Sequence, residues 1–211
     1  MIADLYASKA GTYDWVMKQA RYSATIRTIL RALSARMRPD ARILDLGCGT
    51  GLGIAALIHR FPACNIVGVD CSPQMLEICR GKFPEVRLLV GDFNNGAKLR
   101  DLRTGRRAGL RRGSFDLVIS TGAVSEYGTL ETVIPMIHRL TRTRGLFINV
   151  GIKRNLLNRM FGRVWGFRPK GKNSFIMACR ACGFREVQSV ELPWRLFPTN
   201  LLKFVVTARK T

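Results

Sequence analysis

The sequence predicts an α/β fold with a doubly wound, mostly parallel sheet of seven strands and a small cap. Short apolar segments alternate with helical patterns along the chain, which is typical of parallel sheets covered on both faces. A glycine-rich turn follows the first strand, and acids end the next two. The last two predicted strands are separated only by a loop, so they can pair antiparallel.

The order of the elements follows from apolar spacing and from helix-start and helix-stop signals. A first helix is predicted over 21–37, where Ile26, Ile29, Leu30 and Leu33 have helical spacing, and Pro39 ends it. Ser72 and Pro73 begin a later helix as its N-cap and first residue. The predicted strands are 42–47, 65–70, 86–92, 115–120, 145–151, 185–191 and 202–209. Further helices are predicted over 52–61, 129–142 and 173–182.

We expect one domain over residues 1–211, because this length suits a single α/β unit. Residues 1–38 are predicted to form an N-terminal helical lid and residues 40–150 the ligand-binding core. Residues 97–113 interrupt the core as an exposed basic insertion. A basic cap over 152–171 and a C-terminal helix with strands over 172–211 complete the predicted order.

The charge balance favours anionic partners. The chain has 35 Lys and Arg against 14 Asp and Glu, a net charge of +21, yet its 47% hydrophobic content supports a packed core. Nucleic acid, an anionic lipid surface and acidic small molecules all fit this charge, and a compositional bias toward arginine is the plain alternative. No apolar run reaches the length of a membrane span, and the N-terminus does not resemble a signal peptide.

The six cysteines are expected to be reduced thiols in the cytoplasm rather than disulfides. Cys179 and Cys182 have CxxC spacing, but there is no second pair of that kind to complete a metal site. We therefore expect no metal. The predicted location is cytoplasmic, with peripheral membrane association left open by the basic charge.

The glycine-rich turn is the most informative segment. It reads Asp45-Leu-Gly47-Cys-Gly49-Thr-Gly51, between a strand and a helix, where ligands bind in such sheets. A dinucleotide fingerprint needs a third glycine at the sixth position, and both possible frames lack it. A P-loop needs Gly-Lys-Ser/Thr, which is also absent. The remaining pattern is an acid followed by three alternating glycines.

This segment resembles the first motif of class I S-adenosylmethionine-dependent methyltransferases, in particular the ubiquinone/menaquinone-biosynthesis and small-molecule group. The resemblance covers about residues 40–150. It implies S-adenosylmethionine as cofactor, bound by the residues of four motifs. These are Asp45, Gly47, Gly49 and Gly51 of the loop, Asp70 on the ribose, Cys71 and Met75 in a D-x-S-x-x-M-L segment, Asp92 and Phe93 on the adenine, and Thr121 of the fourth motif.

The fourth motif also narrows the methyl acceptor. Enzymes that methylate exocyclic amines usually place Asn/Asp-Pro-Pro-aromatic after this strand, whereas Ser120 and Thr121 are followed here by Gly-Ala. Cytosine-C5 enzymes need a nearby cysteine, which is also absent. A small-molecule or lipid-like acceptor, methylated at oxygen, nitrogen or carbon, is therefore the prediction. An RNA methyltransferase and a non-catalytic partner subunit of the same fold are the alternatives.

Three residues are candidates for work on the acceptor. Glu126 is predicted to orient it or act as base, with capping of the following helix as the alternative. Tyr127 is predicted to close the pocket, and Tyr13 to act as a lid residue or simply to pack near the N-terminus. The cap 152–171 interleaves bases with apolar side chains, which suits a membrane surface or single-stranded RNA, or an ordinary packed helix.

Overall fold

The computed structural model describes residues 22–211, which form two compact units that meet in sequence between Leu110 and Arg111. The predicted lid over 1–38 lies outside the described residues up to residue 21. Within the described part of this segment, the helix covers Tyr22–Ser34. The prediction of one domain over 1–211 stays a prediction.

The first unit is a parallel sheet with helices between its strands. Strands β1, β2 and β3 pair in parallel in that order, and β4 is antiparallel to β3. The strands are β1 (Ile43–Leu46), β2 (Ile66–Asp70), β3 (Arg87–Val90) and β4 (Arg100–Asp101), and the helices are α1 (Tyr22–Ser34), α2 (Leu52–Leu57) and α3 (Pro73–Lys82). Short 3-10 turns cover Ala63–Asn65 and Phe93–Lys98.

Helix α1 packs its apolar face, with Ile26 and Leu30 fully buried, against α2. Helix α3 begins as predicted, with Ser72 as N-cap and Pro73 as first residue, and Ser72 Oγ accepts a hydrogen bond from Met75 N at 3.4 Å. The buried strands β1 and β2 therefore end in short turns that lead straight into helices. These turns carry the candidate site.

The short strand β4 was not predicted, and it brings the described strands to eight rather than seven. It lies in the segment 97–113, which the sequence predicts as an exposed insertion. Leu99 is buried, and its carbonyl accepts a hydrogen bond from Ala108 N at 2.9 Å. The Asp101 carboxylate closes the turn by accepting from the amides of Arg103 and Thr104, both at 3.1 Å. One apolar side chain and one turn-forming acid thus order the start of the basic segment.

The second unit contains one parallel and two antiparallel strand pairings. Strands β5 and β6 pair in parallel, and β8 pairs antiparallel with both β6 and β7. The strands are β5 (Phe115–Thr121), β6 (Thr141–Ile152), β7 (Phe184–Val190) and β8 (Lys203–Lys210), and the helices are α4 (Val124–Tyr127), α5 (Leu130–Leu140), α6 (Leu156–Trp165), α7 (Lys172–Ala181) and α8 (Thr199–Leu202). A 3-10 turn covers Trp194–Leu196. The predicted antiparallel pairing of the last two strands is confirmed.

The core of the second unit is aromatic. The ring of Phe147 in β6 lies 6.0 Å from the rings of both Phe175 in α7 and Phe184 in β7. All three side chains are almost completely buried, which fixes α7 against the sheet. The predicted cap contains the helix α6, and irregular chain follows it up to α7.

Cys179 and Cys182 lie at the end of α7 and are free thiols, as are the other four cysteines. Over residues 22–211, no group of metal-ligating side chains is gathered. No helix in the same range has the length and apolar character to span a membrane.

Candidate functional site

The glycine loop leaves the buried strand β1 and is held against the end of β2. Gly47, Gly49 and Gly51 have φ angles of +73°, +51° and +88°, in the left-handed region that glycine tolerates best. The amides of Gly47 and Cys48 donate to the carbonyl of Val69 at 2.8 and 3.1 Å. The loop is therefore a fixed turn with backbone conformations that explain its alternating glycines.

Asp70 connects this loop to the start of α3. Its Oδ2 accepts a hydrogen bond from Gly49 N at 2.9 Å, and its Oδ1 accepts one from Ser72 N at 2.9 Å. Burial raises the pKa of Asp70 above its usual value, and the amides of Ser72 and Gly49 act in the opposite direction. The resemblance assigns this carboxylate to ribose hydroxyls, and that contact stays a prediction. The structure adds a second role, since the carboxylate shapes the loop.

Asp45 is a buried carboxyl without a hydrogen-bond partner in the described part of the chain. Its side chain is fully buried in β1, and among the described residues neither oxygen has a hydrogen-bond partner. Burial, and then the charge of Asp70, raise its pKa to about 8. Buried polar groups are nearly always hydrogen-bonded, so an exception calls for an explanation. A cationic or hydrogen-bond-donating group of a bound ligand would supply one.

The space beside two loop glycines differs sharply. A Cβ built on Gly49 would meet no atom of the described residues within 4 Å, whereas one on Gly51 would lie 2.8 Å from Phe83 Cε2 and 2.9 Å from Cys79 Sγ. Gly51 is thus required by protein packing as well as by its φ angle. Beside Gly49 there is open space, which a ligand lying on the loop can use.

The remaining predicted cofactor residues of the first unit differ in accessibility. Cys71 is half-buried, and burial raises its pKa to about 11, so it is a neutral thiol at pH 7. Met75 and Phe93 are buried. Asp92 is exposed, and its Oδ1 accepts from Asn94 N at 2.8 Å, which caps the 3-10 turn that follows. Its predicted adenine contact stays a prediction beside this capping role.

Glu126 is the centre of a polar cluster in the second unit. It lies in α4, just beyond the end of β5, and its side chain is only 1% exposed. Its Oε2 accepts a hydrogen bond from Ser125 Oγ at 2.7 Å, while its Oε1 has no hydrogen-bond partner among the described residues. Burial raises the pKa of Glu126, and Lys203, Ser125 and the backbone of Ile152 oppose that shift.

Two lysines near Glu126 were missed as site residues by the sequence reasoning. Lys203 Nζ lies 4.0 Å from Glu126 Oε1, and burial lowers its pKa. Lys170 Nζ lies 3.5 Å from the carbonyl oxygen of Glu126, and burial lowers its pKa too. Lys170 lies in the predicted cap, whereas Lys203 has no motif around it, and only tertiary packing brings either lysine to Glu126. The cluster places one ammonium group near the Glu126 carboxylate and a second near the backbone carbonyl of the same residue.

The predicted cap contacts this cluster through Tyr127. The Tyr127 ring lies edge-on to Phe167, with 5.9 Å between ring centroids. Both residues are half-buried, as is Thr121 at the end of β5. The structure thus brings Tyr127 and the cap together, as expected of a pocket-closing residue. The third candidate, Tyr13, lies outside the described residues.

A family-profile match covers the segment that holds the glycine loop, Asp70 and Glu126. The profile of a family described as a methyltransferase domain matches residues 43–145. Trans-aconitate 2-methyltransferase of Azoarcus sp. (strain BH72) is 30% identical over 118 residues, which are 55% of this chain and 42% of that protein. Malonyl-(acyl-carrier protein) O-methyltransferase of Laribacter hongkongensis is 31% identical over 145 residues, 66% of this chain and 46% of that protein. The chain spans less than half the length of either curated relative.

A solved structure shows the same fold at lower identity. Phosphoethanolamine N-methyltransferase 2 of Haemonchus contortus, in complex with S-adenosyl-L-methionine, has a TM-score of 0.75 and 14% identity. The alignment covers 100% of this chain and 60% of that chain. The predicted fold class is therefore confirmed.

Proposed function

We propose, from the premise that this chain belongs to the class I S-adenosylmethionine-dependent methyltransferases, that it methylates a small anionic acceptor. The observation that carries the proposal is the glycine loop held by Asp70, with the unpartnered Asp45 carboxyl beside it. When bound, S-adenosylmethionine supplies an activated methyl group. The residues of the chain bind and orient the two reactants.

The residues of the first unit fit this cofactor. Open space beside Gly49 lets a ligand approach the backbone closely, and Asp45 offers a buried carboxyl that lacks a donor or a cation. The Asp70 carboxylate already accepts two amide hydrogen bonds and retains lone pairs for hydroxyl groups. We assign the remaining contacts to Gly47, Gly51, Cys71, Met75, Asp92, Phe93 and Thr121.

Glu126 is proposed as the residue that accepts or orients a proton of the acceptor. Its Oε1 accepts no hydrogen bond from the described residues and can accept one from a ligand, and its raised pKa brings the carboxylate closer to the range that suits a general base at neutral pH. Tyr127 is proposed to close the pocket together with Phe167 of the cap. We propose Tyr13 as a lid residue on the strength of the family resemblance alone.

The anionic character of the acceptor rests on charge. Lys170 and Lys203 place two ammonium groups near Glu126, and the net charge of the chain is +21. The three similar proteins described above are named for trans-aconitate, a malonyl group and phosphoethanolamine, each of which carries a carboxylate or a phosphate. A carboxylate or phosphate on a small molecule would be attracted to the positive charge of these two ammonium groups.

The test is methyl transfer from radiolabelled S-adenosylmethionine into separate pools of organic acids, phosphorylated metabolites, lipid extract and total RNA. We expect label in one of the first three pools. Label in RNA alone would contradict the anionic small-molecule acceptor. Absence of S-adenosylmethionine binding by calorimetry would contradict the whole proposal.

Alanine substitutions at Gly49 and Gly51 should separate ligand contact from folding. Both glycines have positive φ, so each substitution is expected to cost about 1–2 kcal/mol of stability from backbone strain. Gly51→Ala should cost more, because its Cβ would collide with Phe83 and Cys79. Gly49→Ala should remain folded at 25 °C yet weaken S-adenosylmethionine binding by tenfold or more.

Thermal melts and calorimetry on both variants make this comparison. Normal cofactor affinity in Gly49→Ala would show that the open space beside Gly49 is not used by the ligand.

Glu126→Gln should reduce turnover by about 100-fold or more, since general base catalysis contributes on that scale. The rate of the unmodified enzyme should rise with pH as Glu126 ionises, and the variant should lose this limb of the pH profile. Cofactor affinity should be unchanged. Glu131→Gln, which removes an exposed carboxylate near Lys170, is the matched control. Equal losses in both variants would indicate an effect of charge alone.

A further inference from the structure

Exposed apolar side chains gather on one surface of the second unit, apart from the Glu126 cluster. Among the described residues, six large hydrophobic side chains are strongly exposed, and five of them lie on α6 or in the segment 194–201. We call these five the apolar corner: Leu156, Met160, Trp194, Phe197 and Leu201. Leu156 and Trp194 are 74% and 71% exposed, so this is a surface and not a partly open core.

Hydrogen bonds hold the two segments of the apolar corner together. Asn155 Nδ2 donates to the carbonyl of Leu201 at 3.2 Å, and Asn158 Nδ2 donates to the carbonyl of Leu202 at 2.9 Å. The amide and the Nζ of Lys153 donate to the carbonyls of Leu202 and Asn200 at 2.8 and 2.7 Å. Four hydrogen bonds therefore fix the start of α6 beside α8.

The side chains of the apolar corner point away from the unit. Asn158 and Gly162 are buried, and they lie on the face of α6 opposite Leu156 and Met160. In the other segment, the rings of Trp194 and Phe197 are in contact, with 5.4 Å between centroids. Aliphatic and aromatic groups thus form one outward surface.

The charges around the apolar corner have one sign. Four exposed arginines lie on these segments or just before α6, at positions 154, 159, 163 and 195. Residues 152–171 contain no acid, and the segment 191–203 contains only Glu191. A surface with apolar side chains surrounded by arginine has the chemistry of an interfacial membrane-binding element, with tryptophan suited to the headgroup region.

We propose that the apolar corner docks on an anionic lipid bilayer. The leucines and the methionine would enter the headgroup boundary, and the four arginines would pair with lipid phosphates. A second copy of the chain would bring like charges together, so self-association is disfavoured. Single-stranded RNA would stack on aromatic rings but would leave Leu156, Met160 and Leu201 without a partner. This proposal is independent of the methyl-transfer reaction.

The experiment is co-sedimentation of the full chain with vesicles of phosphatidylcholine, with and without phosphatidylglycerol. We expect binding to the mixed vesicles only. The variant Leu156→Ser/Met160→Ser/Trp194→Ser should bind at least about tenfold more weakly, whereas Met177→Ser should bind normally. Met177 is the sixth exposed hydrophobic side chain, 69% exposed on α7, and therefore a matched control. Circular dichroism and melting temperature check that the triple variant is folded.

One outcome of these binding measurements supports the proposal, and two would overturn it. Loss of binding in the triple variant at low salt, with Met177→Ser unaffected, supports docking through the apolar corner. Binding that disappears at high salt but is equal in all variants would assign the attraction to charge elsewhere and overturn the proposal. A dimer in solution that the triple variant dissociates would overturn it as well, because the corner would then be a contact between copies.

Discussion

Replacing Asp45 with asparagine is expected to stabilise the ligand-free protein at pH 7 while weakening its binding of S-adenosylmethionine. The pKa of Asp45 is raised from 3.8 to about 8, so at pH 7 the folded state keeps a proton that the unfolded state has lost. This proton uptake costs up to about 4 kcal/mol at pH 7. Asparagine does not ionise and avoids that cost.

The direction of the Asp45 pKa shift determines how the stability should depend on pH. Because the folded-state pKa is higher than the unfolded value, the free energy of unfolding should fall as pH rises from about 4 to about 8. Asp45→Asn should remove this slope, so the two proteins should be equally stable near pH 4 and differ most near pH 8. Denaturant unfolding at several pH values measures this difference. Glu77→Gln, at an exposed position on α3, is the control.

The affinity of Asp45→Asn for S-adenosylmethionine should fall, although its stability should rise. If Asp45 pairs with a cationic or donor group of the cofactor, the neutral amide should lower affinity by tenfold or more. Added S-adenosylmethionine should then raise the melting temperature of the variant less than that of the unmodified protein. Greater stability together with unchanged affinity would show that Asp45 does not contact the cofactor.

Asp70→Ala is expected to lower S-adenosylmethionine affinity by 100-fold or more. The substitution removes the acceptor of Gly49 N and Ser72 N, and with it the proposed ribose contact. Hydrogen bonds to charged groups contribute about 1.5–3 kcal/mol each, and a factor of ten corresponds to about 1.4 kcal/mol. Asp70→Asn retains one acceptor oxygen, so its affinity for S-adenosylmethionine should lie between those of the unmodified protein and Asp70→Ala.

Isothermal titration calorimetry gives the affinities, with Glu85→Ala, an exposed acid before β3, as control. A second measurement tests the coupling to Asp45, whose pKa is raised in part by the charge of Asp70. Asp70→Ala should lower that pKa and shift the stability slope of Asp45 to lower pH. Full cofactor affinity in Asp70→Ala would remove this residue from the site.

The site residues that the sequence predicted belong to short continuous motifs. Alternating glycines between a strand and a helix, and acids at strand ends, are read from neighbouring residues, and parallel strands bring their ends to one edge. The antiparallel pairing of β7 with β8 was predicted because the sequence pattern indicates only a loop between them. The profile match to residues 43–145 supports the family prediction, and the fold comparison confirmed the fold class.

The unpredicted features depend on tertiary packing. Lys203 reaches Glu126 from the other end of the second unit's sequence, and no periodicity signals a buried ion pair. Strand β4 forms because one leucine is buried and one aspartate closes a turn within an otherwise basic segment. The capping role of Asp92 also appears only in three dimensions, since a strand-end acid can cap a turn, bind a ligand or do both.

The attachment of the glycine loop to Asp70 and Val69 also bears on how fast the cofactor is captured. Three hydrogen bonds, from the amides of Gly47, Cys48 and Gly49, hold the loop in the ligand-free protein, so the conformational entropy of the loop is lost during folding and not during binding. The encounter then requires little backbone rearrangement, and the association rate should reflect diffusion and orientation more than a slow conformational step. The loop is therefore preorganised, since it already has its folded conformation before the ligand arrives.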